Sequence, residues 1–138
     1  MRWRKGIFCV IYRKEKDKTL YLLLKRKLHW KGWEFCKGGG IGISGVKREV
    51  REETGQQAKN IKKYNLFGKF KYPGKLTDRK NYLGQTWKLY SCEIKNKKVK
   101  LDKREHSDYS WKEYKQALKM LTYSNQRRCL RFVNEKLN

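Results

Sequence analysis

Proline and acidic residues are scarce in this 138-residue chain, and long apolar runs are missing. Pro73 is the single proline, and 13 Asp and Glu stand against 37 Lys and Arg, which gives a formal net charge of +24. Linkers, internal repeats and low-complexity tracts are lacking too, so the sequence predicts one domain over residues 1–138. Without a membrane-length apolar run or a secretory cleavage site, we expect a cytoplasmic protein and no membrane partner.

Cysteine motifs are also lacking. The chain has four widely spaced cysteines, Cys9, Cys36, Cys92 and Cys129. This spacing argues against a structural zinc site or a disulfide framework. Neither His29 nor His106 is near a cysteine in sequence, so a catalytic thiol is not expected.

Positive charge is what the chain has in excess. The electrostatic field of so many positive charges attracts polyanions, so nucleotides, polyphosphates and RNA are the candidate partners. Because the lysines are spread along the whole chain, a general effect on solubility is the alternative explanation. The sequence does not predict an oligomeric state.

The octet REVREETG, residues 48–55, is the most informative segment. On a helix, Glu49, Glu52 and Glu53 stand at i, i+3 and i+4 and therefore share one face. Like charges at this spacing cost roughly 0.2–0.5 kcal/mol per pair, whereas a hard divalent cation would use the same oxygens as ligands. The alternative is a solvated charged helix face.

The residues around the three glutamates predict how this helix is held. Arg48 lies four residues before Glu52 and is expected to pair with it. Gly55 is expected to end the helix in a left-handed conformation, and Ser44 is a candidate N-cap.

Together with WEFCKGGG, residues 33–40, the octet resembles the Nudix box, the signature of hydrolases that cleave a nucleoside diphosphate linked to another group. Arg48, Glu49, Glu52, Glu53 and Gly55 match the second half of that pattern. Gly38 and Arg48 are ten positions apart, about four fewer than in the family pattern and close to one helical turn. The upstream glutamate of the pattern is missing, with Ser44 or Gly40 in its place.

The resemblance implies an α+β fold, a Nudix-like α/β/α sandwich with a mixed sheet between helices. It implies hydrolysis of a pyrophosphate bond with Mg²⁺ or Mn²⁺ as cofactor. By matching position, Glu52 and Glu53 would be the main metal ligands, and Glu49 a further ligand or the base that orients water. The carbonyl of Gly38 or Gly39 would complete the metal coordination.

Residues 105–130 resemble the C-terminal part of the asymmetric diadenosine tetraphosphate hydrolases. The resemblance implies a dinucleoside tetraphosphate as substrate, cleaved to ATP and AMP, and makes Glu105 a candidate metal ligand or general base. An ordinary carboxylate at a strand end is the alternative for Glu105. Two other functions remain open: a Nudix enzyme acting on RNA 5′-pyrophosphate or inositol pyrophosphates, and a catalytically weakened domain that binds RNA.

Several residues are candidate substrate contacts. Lys37, directly before Gly38 and Gly39, could meet a phosphate oxygen, and the glycines would let backbone approach the phosphates. Tyr82, with Tyr72 and Tyr123 as further candidates, could stack on a base. The five tryptophans are expected to pack against the sheet instead.

Hydrophobic patterns predict the elements around this helix. Residues 6–13 and 19–27 are expected to form a hairpin, and residues 61–72 and 82–94 two longer strands. Residues 33–35 are expected to form a short strand. From Tyr109 onward the pattern favours helix, ending in an amphipathic helix with Leu130, Val133 and Leu137 on its apolar face.

Overall fold

The computed structural model describes residues 2–74 and 76–138, and the backbone alone at Thr77. Within these residues an eight-stranded mixed sheet lies between helices, which confirms the predicted α+β sandwich. The strands are β1 (Arg2–Arg4), β2 (Gly6–Glu15), β3 (Lys18–Arg26), β4 (Gly32–Glu34), β5 (Cys36–Gly39), β6 (Lys59–Lys71), β7 (Tyr82–Glu93) and β8 (His106–Glu113). The helices are α1 (Gly42–Thr54), α2 (Tyr114–Met120) and α3 (Ser124–Leu137), and a 3-10 turn spans Thr77–Arg79.

Five strands run side by side in the order β6, β7, β2, β3 and β8. Strands β2 and β7 pair in parallel, and the predicted hairpin of β2 and β3 is confirmed by its antiparallel register from Tyr12–Tyr21 to Glu15–Lys18. Both faces of β2 are buried from Gly6 to Tyr12, as expected for a central strand covered by helices on both sides.

Each face of the sheet has its own apolar layer. On one face, Val46 and Val50 of α1 pack with Ile7 and Ile11 of β2. On the other face, α3 packs with Phe8 and Trp87; its buried residues include Leu130 and Val133, while Leu137 is partly buried, which confirms the predicted C-terminal helix.

The sheet opens between β2 and β3, and this opening positions the site. Beyond their hairpin, β2 pairs with β5 through Gly6–Cys9, whereas β3 pairs with β4 through Leu24–Arg26. The segment from β4 to β5 therefore fills the gap between two diverging strands. Its side chains, Glu34, Cys36 and Lys37, are consequently held in the middle of the fold.

The prediction of helix from Tyr109 onward is wrong for its first residues. His106–Glu113 form β8, which pairs antiparallel with β3, and helix α2 begins at Tyr114. Tyr109 and Trp111 are two residues apart and pack on the same apolar layer, which is strand periodicity. In the described part of the chain, no helix is long and apolar enough to cross a bilayer.

Candidate active site

Helix α1 carries the three glutamates and begins almost directly after β5. Gly40 and Gly45 allow this short connection, because Gly40 has a φ of 113° and a Cβ on Gly45 would lie 3.2 Å from the Gly40 carbonyl carbon. The prediction of Ser44 as the N-cap is wrong: the helix begins at Gly42, the N-cap is Ile41, and Ser44 Oγ donates to the Ile41 carbonyl at 3.2 Å. Only Gly40 and Ile41 connect β5 to α1.

Gly55 ends α1 as predicted. Its φ is 74° and its ψ 9°, in the left-handed region, and its N–H donates to the Arg51 carbonyl at 2.8 Å. The helix therefore stops within two residues of the last glutamate, Glu53.

The three glutamates lie at different depths. Glu52 is exposed, Glu49 is 7% exposed and Glu53 is 1% exposed. Burial raises the pKa of Glu49 to about 7, and Glu52 adds to this shift by repulsion. Burial also raises the pKa of Glu53 well above its usual range, with Glu49 and Glu34 adding repulsion. A cation at this place would relieve the same repulsion.

Arg48 does not pair with Glu52, so that prediction is wrong. Its guanidinium Nη2 donates to the Gly39 carbonyl at 2.7 Å and to Glu49 Oε1 at 3.2 Å. Because one acceptor belongs to β5 and the other to α1, Arg48 ties the glycine turn to the helix. Glu52 is consequently left free of this arginine and faces the cleft.

The glycines of β5 leave space for two polar side chains. A Cβ on Gly38 would displace the carboxylate of Glu49, and a Cβ on Gly39 would displace the guanidinium of Arg4. The carbonyl of Gly38 accepts a hydrogen bond from Gln85 Nε2 at 3.1 Å. The turn therefore brings backbone oxygen, carboxylate and cations within a few ångströms of one another.

A buried polar chain lies beneath the glycine turn. Glu34 Oε2 contacts His106 Nε2 at 2.9 Å, His106 Nδ1 lies 3.6 Å from Glu53 Oε1, and Cys36 Sγ donates to Glu53 Oε2 at 2.7 Å. All four side chains are at most 1% exposed. Within the described residues, Glu53 Oε1 and His106 Nδ1 face each other without a hydrogen-bond partner.

Glu34 is surrounded by donors and carries its charge in the interior. Arg26 Nη1 lies 3.3 Å away, Lys37 Nζ 3.4 Å and Trp30 Nε1 3.1 Å. Burial alone would raise the pKa of Glu34, but Lys37, His106 and Arg26 lower it to about 2. Burial lowers the pKa of Lys37 to about 8, against the opposing effect of Glu34. Lys37 is thus engaged with Glu34 as well as lining the cleft.

A cleft of about 380 Å³ brings most of the predicted site residues together. Its acidic lining residues are Glu49, Glu52, Glu105 and Asp78, and Gly38, Gly39 and Tyr82 line it as well. Its cationic residues are Arg4, Arg26, Lys37, Arg48, Arg79 and Arg104. Glu53 is buried and is not among the residues that line the cleft.

Comparison with known proteins agrees with this geometry. The family model described as NUDIX domain matches residues 2–132. The chain belongs to the Nudix family.

Solved structures of Nudix proteins share the fold along nearly the whole chain. A C. elegans Ap4A hydrolase is 23% identical with a TM-score of 0.77, covering 97% of each chain. A Listeria monocytogenes protein described as a NUDIX hydrolase is 20% identical with a TM-score of 0.75, covering 96% of this chain and 92% of its own. The E. coli dihydroneopterin triphosphate pyrophosphohydrolase is 18% identical with a TM-score of 0.72, covering 94% and 95%. A comparison with curated proteins found no match.

The protein is accordingly a Nudix-type pyrophosphohydrolase, a hydrolase of nucleoside diphosphate derivatives. Nudix hydrolases use divalent metal ions, and the residues here fit such an ion. Glu34, Glu53 and His106 each offer a ligand atom within 4.8 Å of the others. Of these three residues, Glu34 already accepts hydrogen bonds from Arg26, Trp30 and His106.

Of the three tyrosines predicted to stack on a base, one is buried in the core and two line cavities. Tyr72 is 6% exposed and its hydroxyl donates to Gln85 Oε1 at 3.3 Å, so its prediction as a stacking platform is wrong. Tyr82 lines the cleft, with the Arg2 guanidinium 5.4 Å from its ring centroid. Tyr123 is 37% exposed and lines a second, more apolar cavity.

The tryptophans follow the expectation only in part. Trp87 packs in the core, stacked on Phe8 with ring centroids 4.5 Å apart. Trp30 instead lines both cavities, and Lys37 Nζ lies 4.0 Å from its ring centroid.

Sequence reasoning missed Glu34, His106 and Gln85. Glu34 lies within residues 33–40, and His106 directly follows Glu105 within residues 105–130. Both therefore belong to the two segments that carry the family resemblance. A glutamate flanked by Trp33 and Phe35 in a strand was the available signal, because buried carboxylates require partners. Gln85 carried no such signal.

Proposed function

We propose that the protein hydrolyses a pyrophosphate bond of dinucleoside polyphosphates and cleaves diadenosine tetraphosphate to ATP and AMP. The observation that supports this most directly is the cleft, which is lined by three glutamates, one aspartate and six cationic side chains. The cations suit a chain of phosphates, and the glutamates suit the divalent ions that accompany such substrates.

The carboxylates have distinct roles in this proposal. Glu52 and Glu53 are the main metal ligands, and Glu49 is a further ligand or the base that orients water. Glu105, across the cleft, is an additional ligand or base, and the Gly38 carbonyl supplies an oxygen. Bound Mg²⁺ or Mn²⁺ would neutralise phosphate oxygens and make the attacking water more acidic.

The arginines and Lys37 would orient the polyphosphate chain. Arg48 is held by Glu49 and Gly39, so its free guanidinium edge has a fixed position beside the carboxylates. Arg26 and Lys37 form a buried cationic wall, fixed by Glu34. Positioned cations of this kind stabilise charge on the transferred phosphoryl group.

The neighbouring cavity suits a nucleoside. It has a volume of about 230 Å³, shares Trp30 and Lys37 with the cleft, and is also lined by Phe8, Phe70 and Tyr123. Aromatic walls beside a cationic cleft offer stacking for a base and charge for its phosphates. The C. elegans structural neighbour named as an Ap4A hydrolase is consistent with this substrate class.

A substrate panel tests the proposal. The wild-type chain is incubated with diadenosine tetraphosphate, a 5′-triphosphorylated RNA and an inositol pyrophosphate, with Mg²⁺ or Mn²⁺, and products are separated by ion-exchange chromatography. We expect metal-dependent release of ATP and AMP. Glu52→Gln and Glu53→Gln should each lower kcat/KM roughly a hundredfold or more, since metal stabilisation of the transition state is worth several kcal/mol.

Glu135→Gln is the matched control, because it makes the same change at an exposed position of α3. It should leave turnover unchanged. Preferred turnover of RNA or inositol pyrophosphate would replace the proposed substrate. RNA binding without turnover of any pyrophosphate would show instead a catalytically weakened domain.

A further inference from the structure

Side chains of β1, β6 and β7 form a basic and aromatic surface next to the cleft. We call it the strand surface and define it by Trp3, Phe67, Lys69, Lys71 and Lys88. The register of β6 on β7 places Phe67 opposite Lys88 and Lys71 opposite Gly84, and β1 places Trp3 opposite the same Gly84. Because alternate residues of a strand share a face, these side chains stand on one side of the sheet.

The other side of the same strands is core. Tyr64 is buried in the apolar layer beneath α3, Leu66 and Phe70 pack against that layer, and Trp87 of β7 is 2% exposed within it. This alternation allows β6 to pack on the core although five of its 13 residues are lysines. It also means that changes on the strand surface leave the core packing in place.

The strand surface interleaves cations with aromatic rings. Phe67 is 70% exposed, and Lys69, Lys71 and Lys88 are exposed. Lys69 Nζ lies 4.6 Å from the ring centroid of Trp3. Trp3 is partly exposed. Aromatic rings between lysines are an arrangement by which proteins stack unpaired bases while they neutralise the phosphates.

The strand surface continues into the cleft. A groove of about 540 Å³ begins at Trp3 and shares Arg4, Gly39, Arg48 and Tyr82 with the cleft. Its remaining lining residues are Arg2, Lys5, Gly40 and Ile41, so no carboxylate lines it among the residues that the structure describes. A polyanion lying in it would meet cations along its whole length.

We infer that the strand surface and this groove bind single-stranded RNA. The exposed ring of Phe67 favours a ligand with unpaired bases, because a compact phosphate would not contact it. Among such ligands we choose RNA, since it is the abundant single-stranded polynucleotide of cells. The inference goes beyond the proposed hydrolysis, since stacking and phosphate contacts require neither a bound metal nor cleavage.

The test uses a fluorescent 12-nucleotide RNA with a 5′-hydroxyl end, in EDTA, followed by fluorescence anisotropy over a range of salt concentrations. We compare the wild-type chain with Lys69→Gln/Lys88→Gln. The matched control is Lys115→Gln/Lys119→Gln, which removes the same charge from exposed positions of α2 on the opposite face. Each phosphate contact on single strands contributes a slope of about −0.7 to log K against log salt concentration.

We expect the strand-surface pair to reduce that slope by about 1.4, while the control pair leaves it unchanged. Phe67→Ala should weaken binding about fivefold or more, with the slope unchanged, because stacking is not a charge effect. All three variants should retain wild-type kcat/KM on diadenosine tetraphosphate. RNA binding by the strand surface and hydrolysis in the cleft are therefore tested independently of each other.

Four outcomes would overturn the inference. They are undetectable RNA binding at about physiological salt, equal losses in both lysine pairs, equal affinity for duplex RNA, and strand-surface-dependent binding to phosphatidylserine vesicles without binding to RNA.

Discussion

Two neighbouring side chains determine the environment of the Glu53 carboxyl. Its carboxyl lies between the thiol of Cys36 at 2.7 Å and the ring of His106 at 3.6 Å, and it is almost completely buried. Burial raises the pKa of Cys36 well above its usual range, with Glu53 adding to the shift, so the thiol stays neutral and serves as a donor. We therefore predict that Cys36 is a positioning residue for Glu53.

Cys36→Ala and Cys36→Ser test this positioning. Serine keeps a donor at the same place, whereas alanine removes it and leaves the Glu53 carboxyl without its partner. Because groups that orient metal ligands contribute about 10- to 100-fold to metal affinity, we expect Mn²⁺ to bind the alanine variant about tenfold more weakly than the serine variant. Calorimetric titration with Mn²⁺ measures this, and equal affinities would refute the role of the thiol.

At the scale of elements, α1 is fixed at both ends by glycine. Gly40 and Gly45 touch at its start, and Gly55 has a left-handed conformation at its end, where a Cβ would lie 3.0 Å from Cβ of Lys100. These contacts determine where α1 lies on the sheet and at which residues it begins and ends. The three glutamates must lie between these two ends.

Gly55→Ala should destabilise the protein by about 1–2 kcal/mol, because an alanine in the left-handed region is strained. Gly55→Asn should cost less, since asparagine adopts that region more readily than other residues with a side chain. Urea unfolding followed by circular dichroism measures both free energies of unfolding. Equal stability of the alanine variant and the wild type would mean that the helix end can relax to another conformation.

At the scale of the whole molecule, the excess of positive charge opposes folding. The net charge of +24 is distributed along 138 residues, and the buried site adds Arg26 and Lys37 to the interior. Glu34 offsets the interior charges locally, but the remaining lysines repel one another in the compact state.

The thermal midpoint should therefore rise by several degrees as NaCl increases from about 20 to 300 mM, because salt screens repulsion among exposed charges. Differential scanning fluorimetry measures this midpoint. Sucrose serves as an uncharged co-solute control for non-electrostatic effects. A midpoint that falls with NaCl would show that attractive ion pairs outweigh the repulsion.

The parts of the fold and the site that were predicted correctly depend on neighbours in sequence. The spacing of Glu49 and Glu53 and the left-handed end at Gly55 follow from helix geometry within one or two turns. The pairing of Arg48 was predicted wrongly, because the carbonyl of Gly39 competes for its guanidinium and helix geometry does not include that strand. Tyr109 was assigned to helix because pairing of β8 with β3 is a long-range contact.

The sequence alone determined a helix with three acidic side chains at helical spacing, a glycine turn before it and a strongly basic chain. Tertiary structure alone decided the depth of each glutamate and the partners of Glu53. Strand β3 pairs with β4 through Leu24–Glu34 and with β8 through Arg26–His106, which brings Glu34 and His106 together across 72 positions of sequence. The physical reason is that burial and desolvation depend on which chain segments pack around a group, whereas helical spacing depends only on local backbone geometry.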